Sequence, residues 1–300
     1  MLTIVVAWRG AREWLGEAGS ATVALLVALH PQFVVMSTAV SADAMVTLLG
    51  ACVWWQAVTA VRKENPARPL SVMWLAALLA GLADRSAFPL LLIAFAVSVV
   101  AMAQWMTFRG RKAILAVLAV AAVGGISIWF VRTLQTTFTV LSDDWFLLPV
   151  AEAIDVGFIW RFSSFLFQSW WFSLGWVRYP PPAWWTFVAF VLVAAAAVGM
   201  GRRMYSEGDA RTRMLLGLTL MSLAVQLFAV YWAYFRLGHG AQGKSLFPVL
   251  VPTLVLLWTG LEAWVPASRR THVAVAVVLF FALLDAAVWA LVAIPAYANS

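Results

Sequence analysis

Apolar residues run through this chain in blocks of about 20, the length that crosses a hydrocarbon core, with short clusters of charge between them. After a polar lead-in holding Arg9, Arg12, Glu13 and Glu17, the first block extends from about Ala21 to Ala39 and is interrupted by His30-Pro31. The second, Ala42–Val61, ends at the basic linker holding Arg62, Lys63 and Arg68. Leu70–Ala83 and Ala87–Trp105 form a hairpin around Asp84-Arg85-Ser86, its first arm short for a full crossing. The basic patch Arg109-Gly110-Arg111-Lys112 precedes a block at Ala113–Phe130. Blocks resume at Ala183–Met200, Met214–Tyr234, Leu246–Trp264 and His272–Ala296, with Arg202, Arg203, Arg211 and Arg213 in one linker and Arg269-Arg270 in another. Each block is read as a helix, which predicts an all-α polytopic integral membrane protein with about nine transmembrane helices.

Residues 132–182 break the pattern. They hold Asp143, Asp144, Glu152 and Asp155, then the aromatic run Ile159–Trp176, then Tyr179-Pro180-Pro181-Pro182. The run mixes Arg161, serines and Gln168 with Trp and Phe, which suits a helix lying in the membrane interface. No internal repeat, low-complexity tract or soluble domain stands out, so residues 1–300 read as one transmembrane domain with 132–182 as its outer-face loop and interfacial segment.

Composition agrees with the pattern. The chain is 64% hydrophobic and 11% charged, against about 25% charged in soluble proteins, and its 18 tryptophans suit membrane interfaces. The net charge of +7 reflects the bias of Lys and Arg toward cytoplasmic loops, and nucleic acid is excluded as a partner on this reading. With the N-terminus inside and nine crossings, fourteen of the 20 Lys and Arg fall inside, and only Arg85, Arg132, Arg161, Arg178, Arg236 and Lys244 fall outside. The single cysteine, Cys52, precludes an intramolecular disulfide. The opening MLTIVVAWRGAREW lacks the features of a signal peptide and reads as the tail of a helix whose beginning is absent.

In this topology Asp43, Asp84-Arg85, residues 132–182 and the Arg236–Lys244 loop share the outer face, so any chemistry belongs there. Ser41 is a good N-cap for the second span, and Asp43 falls in that helix's first turn, where a carboxylate suits the dipole and is a candidate site acid. Arg85 matches phosphate oxygens bidentately, against a plain solvated turn. The segment RLGHGAQGKSLFP has three glycines and ends in Lys244 at a helix start, a setting that attracts anions, against a merely flexible loop. Asp285 is the acid deepest within a span, roughly 20 Å from the His272 end, and would be satisfied by a buried arginine or an indole N–H if it has no other role. Asp143-Asp144-Trp145 has the chemistry to hold a sugar or a divalent cation, the one cofactor candidate; otherwise it is a solvated loop. The histidines His30, His239 and His272 are scattered, so no metal cluster is expected.

Taken in order, HPQFVVMSTAVSADAM, GLADRSAFPLLLIAF, SWWFSLGWVRYPPP and QGKSLFP resemble the motifs of a family of bacterial multi-span membrane proteins grouped with the GT-C glycosyltransferases. The resemblance covers about Ala21 to Pro252, and it rests on the order of the motifs. It implies a GT-C-like transferase in the bacterial cytoplasmic membrane. Such an enzyme moves a sugar from a polyprenyl-phosphate donor to a glycan or lipid acceptor of the cell envelope. By position Asp43 matches an acid lining the family's cavity, Arg85 a basic residue meeting the lipid phosphate, and Lys244 the motif arginine; Gln242 and His30 belong to the same motifs. Ser245 departs from the motif tyrosine, and the acid of the family's first outer loop either precedes this sequence or is lacking, so the resemblance also admits a truncated, inactive or partner-dependent enzyme. A transporter or lipid-carrier flippase, and a non-catalytic membrane scaffold, are therefore the rival readings.

Overall fold

The computed structural model describes residues 1–38, 42–109, 156–171, 183–206, 209–237, 242–290 and Ile294. Among them every regular element is helical. In chain order these are α1 (Leu2–Ala28), α2 (Pro31–Thr38), α3 (Ala42–Arg62), α4 (Ala67–Ala83), α5 (Pro89–Arg109), α6 (Val156–Trp171), α7 (Ala183–Ser206), α8 (Ala210–Leu237), α9 (Leu250–Glu262) and α10 (Arg270–Val288). Tight 3-10 turns occupy Arg85–Ala87, Gly243–Val249 and Ala267–Arg269. Six stretches are long and apolar enough to cross a membrane, built on α3, α5, α7, α8, α9 and α10. The pair α1 and α2, bent by 56°, makes a seventh, and α4 is a shorter apolar helix. The protein is thus a polytopic all-α membrane protein. Eight of the nine expected spans coincide with helices; Ala113–Phe130 lies outside the described residues, as do Ser41, Asp143 and Asp144.

The start of the chain departs from expectation. The polar lead-in is itself helix, since α1 runs from Leu2 through Arg9, Arg12 and Glu13 to a kink at Gly16. Thr3, Ala7, Gly10 and Ala11 are buried while Arg9, Arg12 and Glu13 stay exposed, a helical spacing of apolar and polar faces that a search for uniformly apolar runs overlooks. Arg62 at the end of α3 donates to the Glu13 carbonyl and ties this half of α1 down. Gly16 then turns the helix at φ 73°, a backbone region that only glycine enters without steric cost. At the far end, Pro31 lacks an N–H and disfavours helical backbone at His30, which separates α1 from α2. His30 Nδ1 accepts the Phe33 amide at 3.3 Å, so the imidazole caps the helix that follows it.

Helix α3 is the hub of one half of the bundle, packed by α1, α4, α5 and residues 243–249; α9 is the hub of the other, packed by α7, α1 and α8. Lipid tails are as apolar as leucine, so contact between membrane helices depends on close approach rather than on expelling water. The α7–α9 crossing illustrates this: a Cβ placed on Gly199 would sit 2.0 Å from the Gly260 carbonyl oxygen, and one on Gly260 2.0 Å from that of Ala196.

One end of the bundle is basic. Glu262 accepts from Arg203 at 2.9 Å and from Arg270 at 3.4 Å, while Arg211 donates to the carbonyls of Val61 and Arg62. Asp209 opens α8 by accepting from the Arg211 amide at 3.2 Å and from the Thr212 amide and hydroxyl at 3.0 and 2.7 Å. The Thr212 hydroxyl, followed by these amides, holds the Asp209 carboxyl below its usual range.

Candidate functional site

At the opposite end the 3-10 segment Gly243–Val249 is the meeting point, touching α2, α3, α6, α8 and the Arg85–Ala87 turn. Pro248 inside it delays the regular helix until Leu250. Gln242 precedes it in extended conformation, half-buried. The segment is held from two sides. The Gly243 amide donates to Ser169 Oγ of α6 at 2.8 Å, and Gln226 Nε2, fully buried in α8, donates to the Ser245 carbonyl at 2.7 Å.

The same Gln226 amide group also donates to the Ser86 carbonyl at 2.7 Å. One side chain in the middle of a span therefore fastens the Asp84-Arg85-Ser86 turn to the segment that carries Lys244. The turn is closed locally by Asp84 Oδ1, which accepts the Ser86 amide at 2.7 Å. Arg85 is exposed at its tip. Lys244 Nζ lies 3.6 Å from Oδ2 of Asp43, with 25% and 13% of the two side chains accessible. Asp43 and Lys244, 201 positions apart in sequence, are an ion pair, and the Arg85 turn is fastened to the segment beside it.

His30 belongs to the same end but is fully buried, its ring 4.9 Å from that of Trp170, 6.0 Å from Trp171 and 6.3 Å from Phe247. Its place is an aromatic cage joining α2, α6 and residues 243–249. Nε2 is buried with no hydrogen-bond partner among the described residues. Asp285 is not part of this group. It sits in α10 beside Leu284 and Val288, which pack on Trp185, and its Oδ1 is buried with no hydrogen-bond partner among the described residues. Asp143 and Asp144 lie outside the described residues. Among those that are described, no three His, Cys, Asp or Glu side chains gather as a metal site needs.

The first part of the aromatic run is described, and residues 172–176 of it lie outside the described residues. Helix α6 covers Val156–Trp171, with Phe158, Phe162, Leu166, Ser169 and Trp170 on a buried face and Val156, Ile159 and Trp160 exposed. Its inner face docks on the protein: Phe162 meets Tyr231 of α8 edge to face at 4.4 Å, and Ser163 hydrogen-bonds the Tyr231 hydroxyl.

Sequence reasoning missed Gln226 and Ser169. Gln226 carried a signal, because a lone glutamine inside MSLAVQLFAVYW must find partners within the membrane. Gln226→Leu removes two hydrogen bonds to buried carbonyls and is expected to lower stability by about 2 kcal/mol, read as a reduced unfolding temperature in detergent. An unchanged temperature would mean that the two segments do not depend on this tie.

The sequence profile of a family described as predicted membrane protein (DUF2142) matches residues 1–254 of the 300, and the chain belongs to that family. No curated protein matches it, and no solved structure does.

Proposed function

We propose that this protein is a GT-C-like membrane glycosyltransferase, moving a sugar from a polyprenyl-phosphate donor to a cell-envelope acceptor. The observation that carries the reading is the Asp43–Lys244 ion pair beside a turn that presents Arg85. Lys244 and Arg85 meet the donor phosphate, and Gln242 borders the same segment. The acceptor hydroxyl attacks the anomeric carbon while the bond from that carbon to the phosphate oxygen breaks. Asp43 takes the hydroxyl proton, and polyprenyl phosphate leaves with its charge held by the cations. In the resting pair each group neutralises the other. An arriving phosphate competes for Lys244 and frees Asp43 to act as base, so the proton acceptor is exposed only when donor is bound. Asp143 and Asp144 are the candidates for the sugar or a divalent cation, whereas His30, enclosed by its rings, and Asp285, in α10 away from the pair, are given no substrate contact.

The orientation belongs to the same reading: bacterial cytoplasmic membrane, N-terminus inside, site on the outer face. A reporter fused after Ser206 is expected to report the cytoplasm; a signal from the outside would invert the site and remove the donor assignment.

The broken helix at His30, with its buried imidazole, favours a second reading as a transporter or lipid-carrier flippase, since such proteins use interrupted spans. One experiment separates the readings. Proteoliposomes carrying radiolabelled polyprenyl-phosphate sugar are mixed with membrane acceptor. Label in a glycan product supports the transferase, and Lys244→Gln should raise the KM for donor about tenfold or more. Donor that changes leaflet without product supports the flippase. Neither result supports a non-catalytic scaffold.

A further inference from the structure

The basic end of the bundle carries a feature that the proposed chemistry does not use. Glu262, at the end of α9, is shared by Arg203 of α7 and Arg270 of α10, so one carboxylate neutralises two guanidinium groups. Arg202 and Arg269 stand beside them, both exposed, and among the described residues neither is in an ion pair with a carboxylate. Two arginine pairs, Arg202-Arg203 at the end of α7 and Arg269-Arg270 at the start of α10, thus meet one acid through Arg203 and Arg270, four guanidinium groups against one carboxylate.

The surroundings are those of a lipid headgroup site. Arg202 lies over the ring of Trp264, 5.8 Å from its centroid, and half of Trp264 is accessible. The indole is fixed against α7 because its Nε1 donates to the Ala195 carbonyl at 2.8 Å. A fixed, half-exposed tryptophan under a guanidinium is the arrangement found at the level where headgroups meet hydrocarbon. Helices α7 and α10 are also the least covered spans, with 28% and 22% of their apolar windows buried against 78% for the stretch containing α9. They approach each other at both ends, through Glu262 here and through Trp185 packed on Leu284 and Val288 at the other. Exposed Val198, Val275, Leu279 and Leu283 along them offer apolar surface to acyl chains.

We infer that this arginine cluster is a binding site for an anionic glycerophospholipid of the bilayer, its phosphate held by Arg202 and Arg269 and its chains lying along α7 and α10. Charge complementarity selects the occupant: three net positive charges at headgroup depth attract an anionic lipid and gain nothing from a zwitterionic one. Glu262 fixes Arg203 and Arg270, the chain neighbours of Arg202 and Arg269, and so holds the ends of α7 and α10 together at this place.

The test is a thermal-unfolding titration of the purified protein in nonionic detergent with phosphatidylglycerol, phosphatidylcholine or soluble glycerol phosphate. Phosphatidylglycerol alone is expected to raise the unfolding temperature in a saturable way. The Arg202→Gln/Arg269→Gln variant should weaken its apparent affinity about tenfold or more. Both residues are exposed, so folding is checked by the unfolding temperature without lipid. The Lys63→Gln/Arg68→Gln variant, which removes two exposed charges from another linker, should bind as the parent does. An equal response to phosphatidylcholine, an equal response to glycerol phosphate, or equal losses in both double variants would overturn the assignment.

Discussion

Asp43→Asn is expected to abolish sugar transfer, a loss of about 100-fold or more, while the protein folds and inserts as before. The asparagine keeps the shape of the side chain and the hydrogen-bonding reach of one oxygen but cannot take a proton from an acceptor hydroxyl. The structural cost is small. Asp43 stands in the first turn of α3 and loses its favourable place at the helix dipole together with a partly solvated pairing to Lys244, about 1 kcal/mol in all. A merely structural role for the pair makes a different prediction. If the damage came from leaving Lys244 unpaired, Asp43→Asn/Lys244→Gln would restore turnover, whereas a base cannot be restored by removing its partner. The measurement is initial velocity at saturating donor for parent, single and double variants in proteoliposomes. Unchanged turnover in Asp43→Asn removes the catalytic assignment, and recovery in the double variant reduces the pair to a structural contact.

Asp43 and Lys244 could be grouped in advance because each sits at the polar start of an apolar block. Placing both on one face needed only a count of crossings. Their direct contact was not legible. It depends on Gly243–Val249 winding as a 3-10 segment against α3 and on Gln226 fastening that segment to the Arg85 turn. A sequence pass gives distances along the chain, and these contacts join residues 19 and 140 positions apart. His30 was legible as a break in a span, but not its burial. Three aromatic rings from α6 and the 243–249 segment close over it, and an interfacial reading of α6 did not say what its apolar face would cover. The opening of the chain was legible as helix, but that the helix continues through Arg9, Arg12 and Glu13 was not, because these charges masked a buried stripe of small residues.

Gly260→Ala is expected to cause a large loss of stability for a single added methyl group. A Cβ at Gly260 would lie 2.0 Å from the Ala196 carbonyl oxygen, 2.7 Å from its carbonyl carbon and 2.8 Å from its Cα. All three are backbone atoms, so no side chain can swing away; α7 and α9 must separate along their crossing. Separation also strains the contacts that meet there, since Trp264 donates to Ala195 and Arg203 to Glu262 across the same pair of helices. Overpacking of a core costs about 1–3 kcal/mol when side chains can adjust, and a backbone clash belongs at the upper end, about 3 kcal/mol. Gly217→Ala is the control. A Cβ there meets nothing within 4 Å, and alanine is the better helix former, so this variant should unfold at the parent's temperature or above it. The two variants differ from the parent by the same atoms at two helix positions, so a difference between them isolates close approach from propensity. If both unfold alike, the α7–α9 contact is not the tight crossing described, and the frame that orients Glu262 between Arg203 and Arg270 loses its support.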